Sequence, residues 1–395
     1  MKVVVIGAGI GGLAVAAGLQ RQDIDVTVLE RAERFAAAGS GLSLFGNGFR
    51  ALDALGLGPA VRQISATEPF AGRAGIRVAS GRWISTTSEA ATHDLRVVDR
   101  TALHGVLLGA LGPGSVQHGS SVRSVHEDEV RLTDGRRVSG ADVVVGADGI
   151  RSTVRAGWPH SPPIRYSGYV AWRAITRRPF HLDVVGETWG RGRRFGFAPL
   201  PDGRVYWFAT ANRAPDAPAT DGMGALTDLF GTWHHPIPDL LDATDSSSVQ
   251  QLPIEELAHA PATFVRGRTA LLGDAAHAMT PNLGQGANQA LEDAATLSAL
   301  LGRVAGATTP ADAVAAALQR YDIVRTGRTA GIALQARRIG AVGQWSNPAA
   351  TAIRDRAVRL TPDRRINALA TEIQNWHPPA SAGGVDDLEE RNPKE

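Results

Sequence analysis

The chain has 395 residues, 43% apolar and 20% charged, with a net charge of +2, which describes a globular protein with room for two or three packed units. Lys2 and Lys394 are the only lysines, no basic run is dense enough for a nucleic-acid surface, and no apolar run is long enough to cross a bilayer; neither partner is expected. Cysteine is absent, which excludes disulfides, thiolate metal sites and cysteine nucleophiles, and an N-terminus that opens on a core strand leaves no room for a signal peptide, so no metal and a cytoplasmic location are expected.

Val3 to Ile6 are apolar, β-branched and too few for a helix, which predicts a buried strand. Gly7-Ala8-Gly9-Ile10-Gly11-Gly12 follows, then a helical stretch from about Leu13 to Gln20, then a second strand, Val26 to Leu29, ending on Glu30. The spacing has a mechanical sense. Gly7 permits the tight turn, Gly9 lets a pyrophosphate approach the backbone, and Gly12 lets the helix sit close to the strand. The helix N-terminus offers unpaired N–H groups to phosphates, and Glu30, with Arg31 beside it, can hold a ribose hydroxyl. Together these features predict dinucleotide binding.

Further along, a helix is expected from about Gly46 to Leu55, a strand at Ile76 to Ala79 and a polar turn from Ser85 to His93. Asp99 is placed to cap a helix carrying Leu103, Val106, Leu107 and Leu111. Short strands follow at Ser121 to His126 and Glu129 to Thr133, with an Asp134-Gly135 turn to Arg137-Val138. Val143 to Val145 form another apolar strand, ending at Gly146-Ala147-Asp148-Gly149. After Pro162-Pro163 the character changes. Tyr166 to Thr210 read as an antiparallel meander with a tight turn at Asp202-Gly203, closed by helical pieces near Met223 to Trp233 and Asp239 to Asp242.

The buried-strand pattern returns in Ala270-Leu271-Leu272, and a long helical region runs to about Val342 before a loose tail from His377. The expected fold is therefore α/β. A Rossmann-like, discontinuous binding domain comprises 1–70, 96–163 and 264–345, and a mostly antiparallel β-sheet substrate domain comprises 71–95 and 164–263. Residues 346–395 complete it as a C-terminal helical segment and tail.

Gly273-Asp274 directly follows a buried strand, so its carboxylate belongs at a strand's C-terminal end, where open α/β sheets bind ligands. In the stretch Pro281-Asn282-Leu283-Gly284-Gln285-Gly286-Ala287-Asn288, the glycines permit a flat group to lie on the backbone, at the opening of a helix. On the substrate side, Tyr169, Ala171 and Arg173 alternate with Val170 and Trp172, so only one set faces a pocket. Trp189, Phe195, Phe197, Trp207 and Phe208 offer aromatic walls, although aromatics on alternating strands are more often plain sheet packing. Arg173, Arg191 and Arg194 can grip an anion or be solvated or paired, and His277 reads as a structural histidine.

Three stretches taken together, Gly7-x-Gly9-x-x-Gly12 with Glu30, Asp148-Gly149 with Ser152 and Arg155, and Gly273-Asp274 through Gly286, resemble the single-component FAD-dependent aromatic hydroxylases, the flavoprotein monooxygenases with the para-hydroxybenzoate hydroxylase fold. Order and spacing match over roughly residues 1–345. The resemblance implies non-covalent FAD as cofactor, NAD(P)H as a transient co-substrate, and O2. It places Glu30 on the adenosine ribose, Arg100 near the pyrophosphate and Asp274 on the ribityl chain. Pro281 and the Leu283 to Gly286 loop fall beside the isoalloxazine ring, and Asp148-Gly149 contacts FAD and transient nicotinamide. The implied reaction passes through a C4a-hydroperoxyflavin that hydroxylates an electron-rich aromatic or heteroaromatic ring.

Epoxidation of an alkene is the alternative, because the Pro281 to Gly286 loop also resembles that of flavin epoxidases; a non-catalytic flavin-binding redox sensor is a further one. Flavin halogenases need a lysine in the body of the chain, and none is there. Phe45-Gly46-Asn47-Gly48 departs from the family, which often has proline before the asparagine, and a looser loop is expected.

Overall fold

Val3, Val4 and Val5 are fully buried because their strand lies inside a sheet covered on both faces. In the computed structural model, which describes residues 1–35, 40–66, 72–87, 95–215, 222–306 and 311–379, this sheet has six strands. Their order is Val265–Arg266, Thr269–Leu271, Val143–Gly146, Lys2–Ile6, Asp25–Leu29, Val116–Gln117. All pairings are parallel except that of the Val265–Arg266 edge. Val4 pairs with Val144 on one side and Thr27 on the other, and Val145 pairs with Ala270. The phosphate-type turn, the Asp148-Gly149 turn and the Gly273-Asp274 corner therefore leave neighbouring strands at the same C-terminal edge.

The Ile10–Gln20 helix, nearly all Ala, Gly and branched aliphatics, packs against the Gly286–Val304 helix. The fit is close because Gly18 has no side chain: a Cβ there would stand 2.3 Å from Leu55 and 2.6 Å from Ser298.

The second sheet has seven strands in the order Gln250–Leu257, Ile164–Ile175, Val205–Asn212, Arg193–Pro199, Val184–Trp189, Arg73–Val78, Trp83–Thr87. It is antiparallel except where Val184–Trp189 runs parallel to Arg73–Val78. One face packs against the helices Gly222–Phe230 and Ile237–Asp242, with Trp172, Phe195, Trp207 and Phe230 at its centre. The fold is thus α/β: a Rossmann-like unit with a mostly antiparallel sheet inserted.

Asp99 caps the Arg100–Gly109 helix, its carboxylate accepting from Thr101 N at 2.7 Å and Ala102 N at 3.4 Å. Ser85 is not in a turn. It belongs to the Trp83–Thr87 strand, whose polar residues suit a half-buried sheet edge beside Arg73–Val78; the remainder of that expected turn, 88–93, lies outside the described residues. The C-terminal helices Pro348–Leu360 and Asp363–Gln374 fold back onto the body, where Arg50 Nε donates to the Trp376 carbonyl at 2.7 Å and Arg328 Nη2 to the Ile373 carbonyl at 2.6 Å. The expected tail beyond residue 379 lies outside the described residues.

Candidate active site

A cleft of about 620 Å³ runs between the C-terminal edge of the parallel sheet and the open face of the antiparallel one. Gly7 has φ +103°, and a Cβ there would stand 2.5 Å from the Ala147 carbonyl oxygen; a Cβ on Gly12 would stand 2.0 Å from the carbonyl oxygen of Gly7. A side chain at Gly7 would push apart the ends of two neighbouring strands, and one at Gly12 would push the helix from its strand. Gly9 is different: nothing lies within 4 Å of its Cβ position, because that space belongs to the cleft.

The Ile10–Gln20 helix has no side-chain cap, so its first N–H groups are left for a ligand. The same is true of the Gly286–Val304 helix, whose Gly286 and Ala287 line the cleft. At Gly149 and Gly286, too, a Cβ would meet nothing within 4 Å. Two uncapped helix starts and open backbone make a cradle for a long group with anionic phosphates and a flat ring that becomes negative on reduction. The residues fit FAD.

Glu30 accepts from Ala8 N and Ala32 N, each at 2.8 Å, one per carboxylate oxygen, and each oxygen keeps a lone pair for a ribose hydroxyl. Arg31 is exposed and does not line the cleft, whereas Arg100 does. His104, which no sequence motif singles out, donates from Nε2 to the Ala8 carbonyl at 2.9 Å and steadies the phosphate turn. Asp148 Oδ2 accepts from Thr153 N at 2.7 Å, while Oδ1 is buried without a partner among the described residues. Gly149 lines the cleft with φ +81°.

Gly273, at φ +63°, forms a corner that puts Asp274 on the cleft wall. Its N–H donates to Asp293 Oδ2 at 2.9 Å, and that carboxylate also takes His277 Nε2 and Arg325 Nε, both at 2.6 Å. Burial alone would raise the Asp293 carboxyl; the charges of His277 and Arg325 and the donated hydrogen bonds outweigh it and hold it at about 2 against an ordinary 3.8. His277 is thus held through Nε2, while its buried Nδ1 has no hydrogen-bond partner among the described residues. Asp274 itself makes no side-chain hydrogen bond among the described residues. Asp274→Ala is therefore expected to lower FAD affinity by roughly one to two decades, the loss of one charge-assisted hydrogen bond, and to leave apoprotein stability unchanged. Titration of apoprotein with FAD and an apoprotein melting curve check both halves.

Pro281, Leu283 and Gly284 line the cleft, but Gln285 and Asn288 stand behind it. Asn288 Oδ1 accepts from Phe45 N at 3.0 Å, and its Nδ2 donates to the Ser43 and Gly284 carbonyls, stitching the loop to the Gly41–Leu44 strand. The looser loop expected at Gly46-Asn47-Gly48 is not found. These residues form the first turn of the Gly46–Ala54 helix, and buried Asn47 Nδ2 donates to Gln285 Oε1 at 2.9 Å and Glu292 Oε1 at 2.7 Å. Those bonds supply the rigidity that the missing proline would have given.

On the sheet, Arg173 faces the cleft with Ala171, while Trp172 is buried beneath. Phe195, Phe197 and Trp207 do not reach the cleft. They point to the opposite face, into the core with the Gly222–Phe230 helix, and Phe195 and Trp207 stack at 5.3 Å. Trp189 is also off the cleft; its ring sits under the Arg354 guanidinium at 5.3 Å and its Nε1 donates to Glu187. Arg191 is exposed in the turn before Arg193–Pro199.

The cleft wall is built from Phe208 and Arg194, both among the expected candidates, together with Glu187, Tyr206 and Thr210. Arg194 is 2% exposed, donates from Nη2 to Asn282 Oδ1, and lies 5.9 Å from the Tyr169 ring. Burial pushes the Tyr206 phenol up, against the opposing pull of Arg173 and Arg100. Strand parity is the signal that could have found Tyr206 and Thr210, since every second residue from Arg173's partner Phe208 shares its face.

The cradle and the wall together define a flavin-dependent oxidoreductase with a closed-in pocket for a small molecule. A family described as "FAD binding domain" matches residues 1–333, and the chain belongs to it, among the FAD-dependent aromatic hydroxylases and monooxygenases. FAD is its cofactor. The chain is 37% identical over 382 residues to the aurachin C monooxygenase/isomerase of Stigmatella aurantiaca, covering 93% of this chain and 96% of that one. It is 34% identical to the 3-amino-4-hydroxybenzoate 2-monooxygenase of Streptomyces cremeus, covering 92% and 93%. Among solved structures, Klebsiella pneumoniae HpxO complexed with FAD and uric acid superposes with a TM-score of 0.83 at 29% identity, covering 95% of this chain and 96% of that one. No helix among the described residues is long and apolar enough to cross a membrane.

Proposed function

We propose that this monooxygenase uses NAD(P)H and O2 to hydroxylate an electron-rich aromatic or heteroaromatic small molecule, releasing water and NAD(P)+, and that it does so in the cytoplasm. Bound FAD supplies the redox and oxygen chemistry, accepting hydride and activating O2 for transfer to the ring. The supporting observation is the single cleft that joins the uncapped Gly286–Val304 helix to a wall carrying Arg173, Arg194, Tyr206 and Phe208.

In this reading Gly7, Gly9, Gly12, Glu30, Arg100, Gly149 and Asp274 hold the cofactor, and Pro281 to Gly286 position its ring. Phe208 and Tyr206 stack on the substrate ring. Arg194 and Arg173 stabilise the negative charge that develops on a ring oxygen as the ring is attacked, in a pocket where little water competes. The Tyr206 phenol, held above its ordinary value, remains a hydrogen-bond donor at neutral pH. The domain division 1–70, 96–163 and 264–345 against 71–95 and 164–263 belongs to the same proposal.

The relatives suggest where to begin. One is a monooxygenase of 3-amino-4-hydroxybenzoate, others are urate hydroxylases, and another is a synthase of 2-heptyl-3-hydroxy-4(1H)-quinolone. The test is a screen of such aromatics for stimulated NAD(P)H oxidation with the product analysed. At least one compound should both accelerate oxidation and emerge hydroxylated. Oxidation that no compound alters, or that yields only hydrogen peroxide with all of them, would favour a flavin-binding redox sensor.

A further inference from the structure

We propose that Glu187 selects the substrate, so that the cleft takes a neutral N-heteroaromatic with a ring N–H beside a carbonyl oxygen and discriminates against benzoates. The proposal rests on the monooxygenase reading and narrows it to a substrate class.

The strand pairings set Glu187, Gly196, Phe208 and Arg173 directly opposite one another across four adjacent strands, on the cleft face. Gly196 is required there, since a Cβ would stand 2.3 Å from the Phe208 ring. Phe208 therefore lies across the gap that Gly196 leaves, and the row reads carboxylate, aromatic plate, guanidinium. Arg194, one row away, brings Nη1 to 3.5 Å from Glu187 Oε2, and the same oxygen accepts from Trp189 Nε1 at 2.8 Å.

Two polar positions remain open. Glu187 Oε1 accepts no hydrogen bond among the described residues, and its side chain keeps 28% exposure on the cleft wall. Arg194 Nη1, 3.5 Å from that carboxylate, donates no hydrogen bond among the described residues. A sheltered acceptor beside a sheltered donor is costly to leave unfilled. The group that fills both has a donor and an acceptor on neighbouring atoms, as a lactam does. A benzoate offers acceptors only: one oxygen on Arg194 sets the other against Glu187, a like-charge contact that such sites disfavour strongly. A pocket that bonds a substrate N–H also rejects the N-alkylated analogue, because the carboxylate is then buried without its donor.

The experiment titrates holoenzyme with 2-quinolone, N-methyl-2-quinolone and 4-hydroxybenzoate, reading binding from the change in flavin absorbance, in wild type, Glu187→Gln and Glu187→Leu. Wild type should bind 2-quinolone at least about tenfold more tightly than either competitor. Glu187→Gln, whose amide oxygen still accepts, should keep the preference over the N-methyl compound and lose that over 4-hydroxybenzoate. Glu187→Leu should lose both. The flavin spectrum and melting curve of each variant report whether it folded.

The proposal is overturned if 2-quinolone does not bind, if its N-methyl derivative binds equally well, if 4-hydroxybenzoate binds most tightly, or if Glu187→Leu retains the wild-type preference. Stimulated hydroxylation confined to benzoates would overturn it while leaving the monooxygenase reading intact. No stimulated hydroxylation by any aromatic would instead count against that wider reading.

Discussion

Replacing Arg325 by alanine is expected to cost about 3–5 kcal/mol of folding stability, the penalty for stranding buried carboxylates. Arg325 is 1% exposed; it donates to Asp293 Oδ1 at 2.6 Å, Glu292 Oε2 at 2.5 Å and Gln289 Oε1 at 2.8 Å. Burial disfavours its guanidinium, and the two carboxylates more than compensate, raising it further above its ordinary value. Without it, Glu292 keeps Arg328 but Asp293 keeps only His277 and the Gly273 N–H. The loss would also loosen the corner that presents Asp274.

The surface pair Arg62–Asp53 is the control. Its side chains are 50% and 44% exposed, and Arg62→Ala should cost no more than about 1 kcal/mol. Melting curves of the two variants should differ widely; equal shifts would mean that the buried network carries little. The network also sets acid sensitivity. The Asp293 carboxyl is depressed from 3.8 to about 2, so its contribution is complete above pH ~4 and is lost as pH falls from ~4 towards ~2.

Gly9→Ala is expected to lower FAD affinity by about ten- to a hundredfold, roughly 1.4–2.8 kcal/mol, without weakening the apoprotein. Gly9 has φ −75°, which alanine adopts freely, and its Cβ would touch no protein atom, so the chain alone has no reason to object. The methyl group would instead occupy the space through which a pyrophosphate approaches the helix start. Gly12→Ala is the contrast, because its Cβ would press to 2.0 Å on the Gly7 carbonyl oxygen and should damage both cofactor binding and stability. Apoprotein melting and FAD titration on both variants separate a surface kept clear for a ligand from a packing requirement. Loss of stability in Gly9→Ala, or unaltered FAD affinity, would contradict the assignment.

The parallel sheet and its turns were legible because each feature is local. Val3 to Ile6 can only be a buried strand, and the steric demands at Gly7 and Gly12 arise within ten residues of chain or from the adjoining strand. The meander was legible as strands but not as faces. A two-residue turn at Asp202-Gly203 implies one register; in the structure Leu200 N bonds Arg204 O, so Pro201 joins the loop, and Gly203 closes it at φ +80°. One residue of register exchanges the faces. Hence Phe195, Phe197 and Trp207, attractive as pocket walls, fill the core, while Arg194, Tyr206 and Phe208 take the cleft.

Asn47 shows the other limit. Its rigidity comes from Gln285 and Glu292, more than two hundred residues away, and no local pattern announces such a bond. Arg194 and Arg191 likewise look alike in sequence, and only strand pairing puts one in the cleft and leaves the other exposed.

On the proposed reading, an oxygen atom passes from O2 to an aromatic ring held in this cleft. The most direct measurement is turnover of a stimulating aromatic under isotopically heavy dioxygen in ordinary water, with mass spectrometry of the product. One heavy oxygen atom is expected in the new hydroxyl group of every product molecule. A product whose new oxygen comes from water, or heavy hydrogen peroxide with the aromatic recovered unchanged, would contradict it.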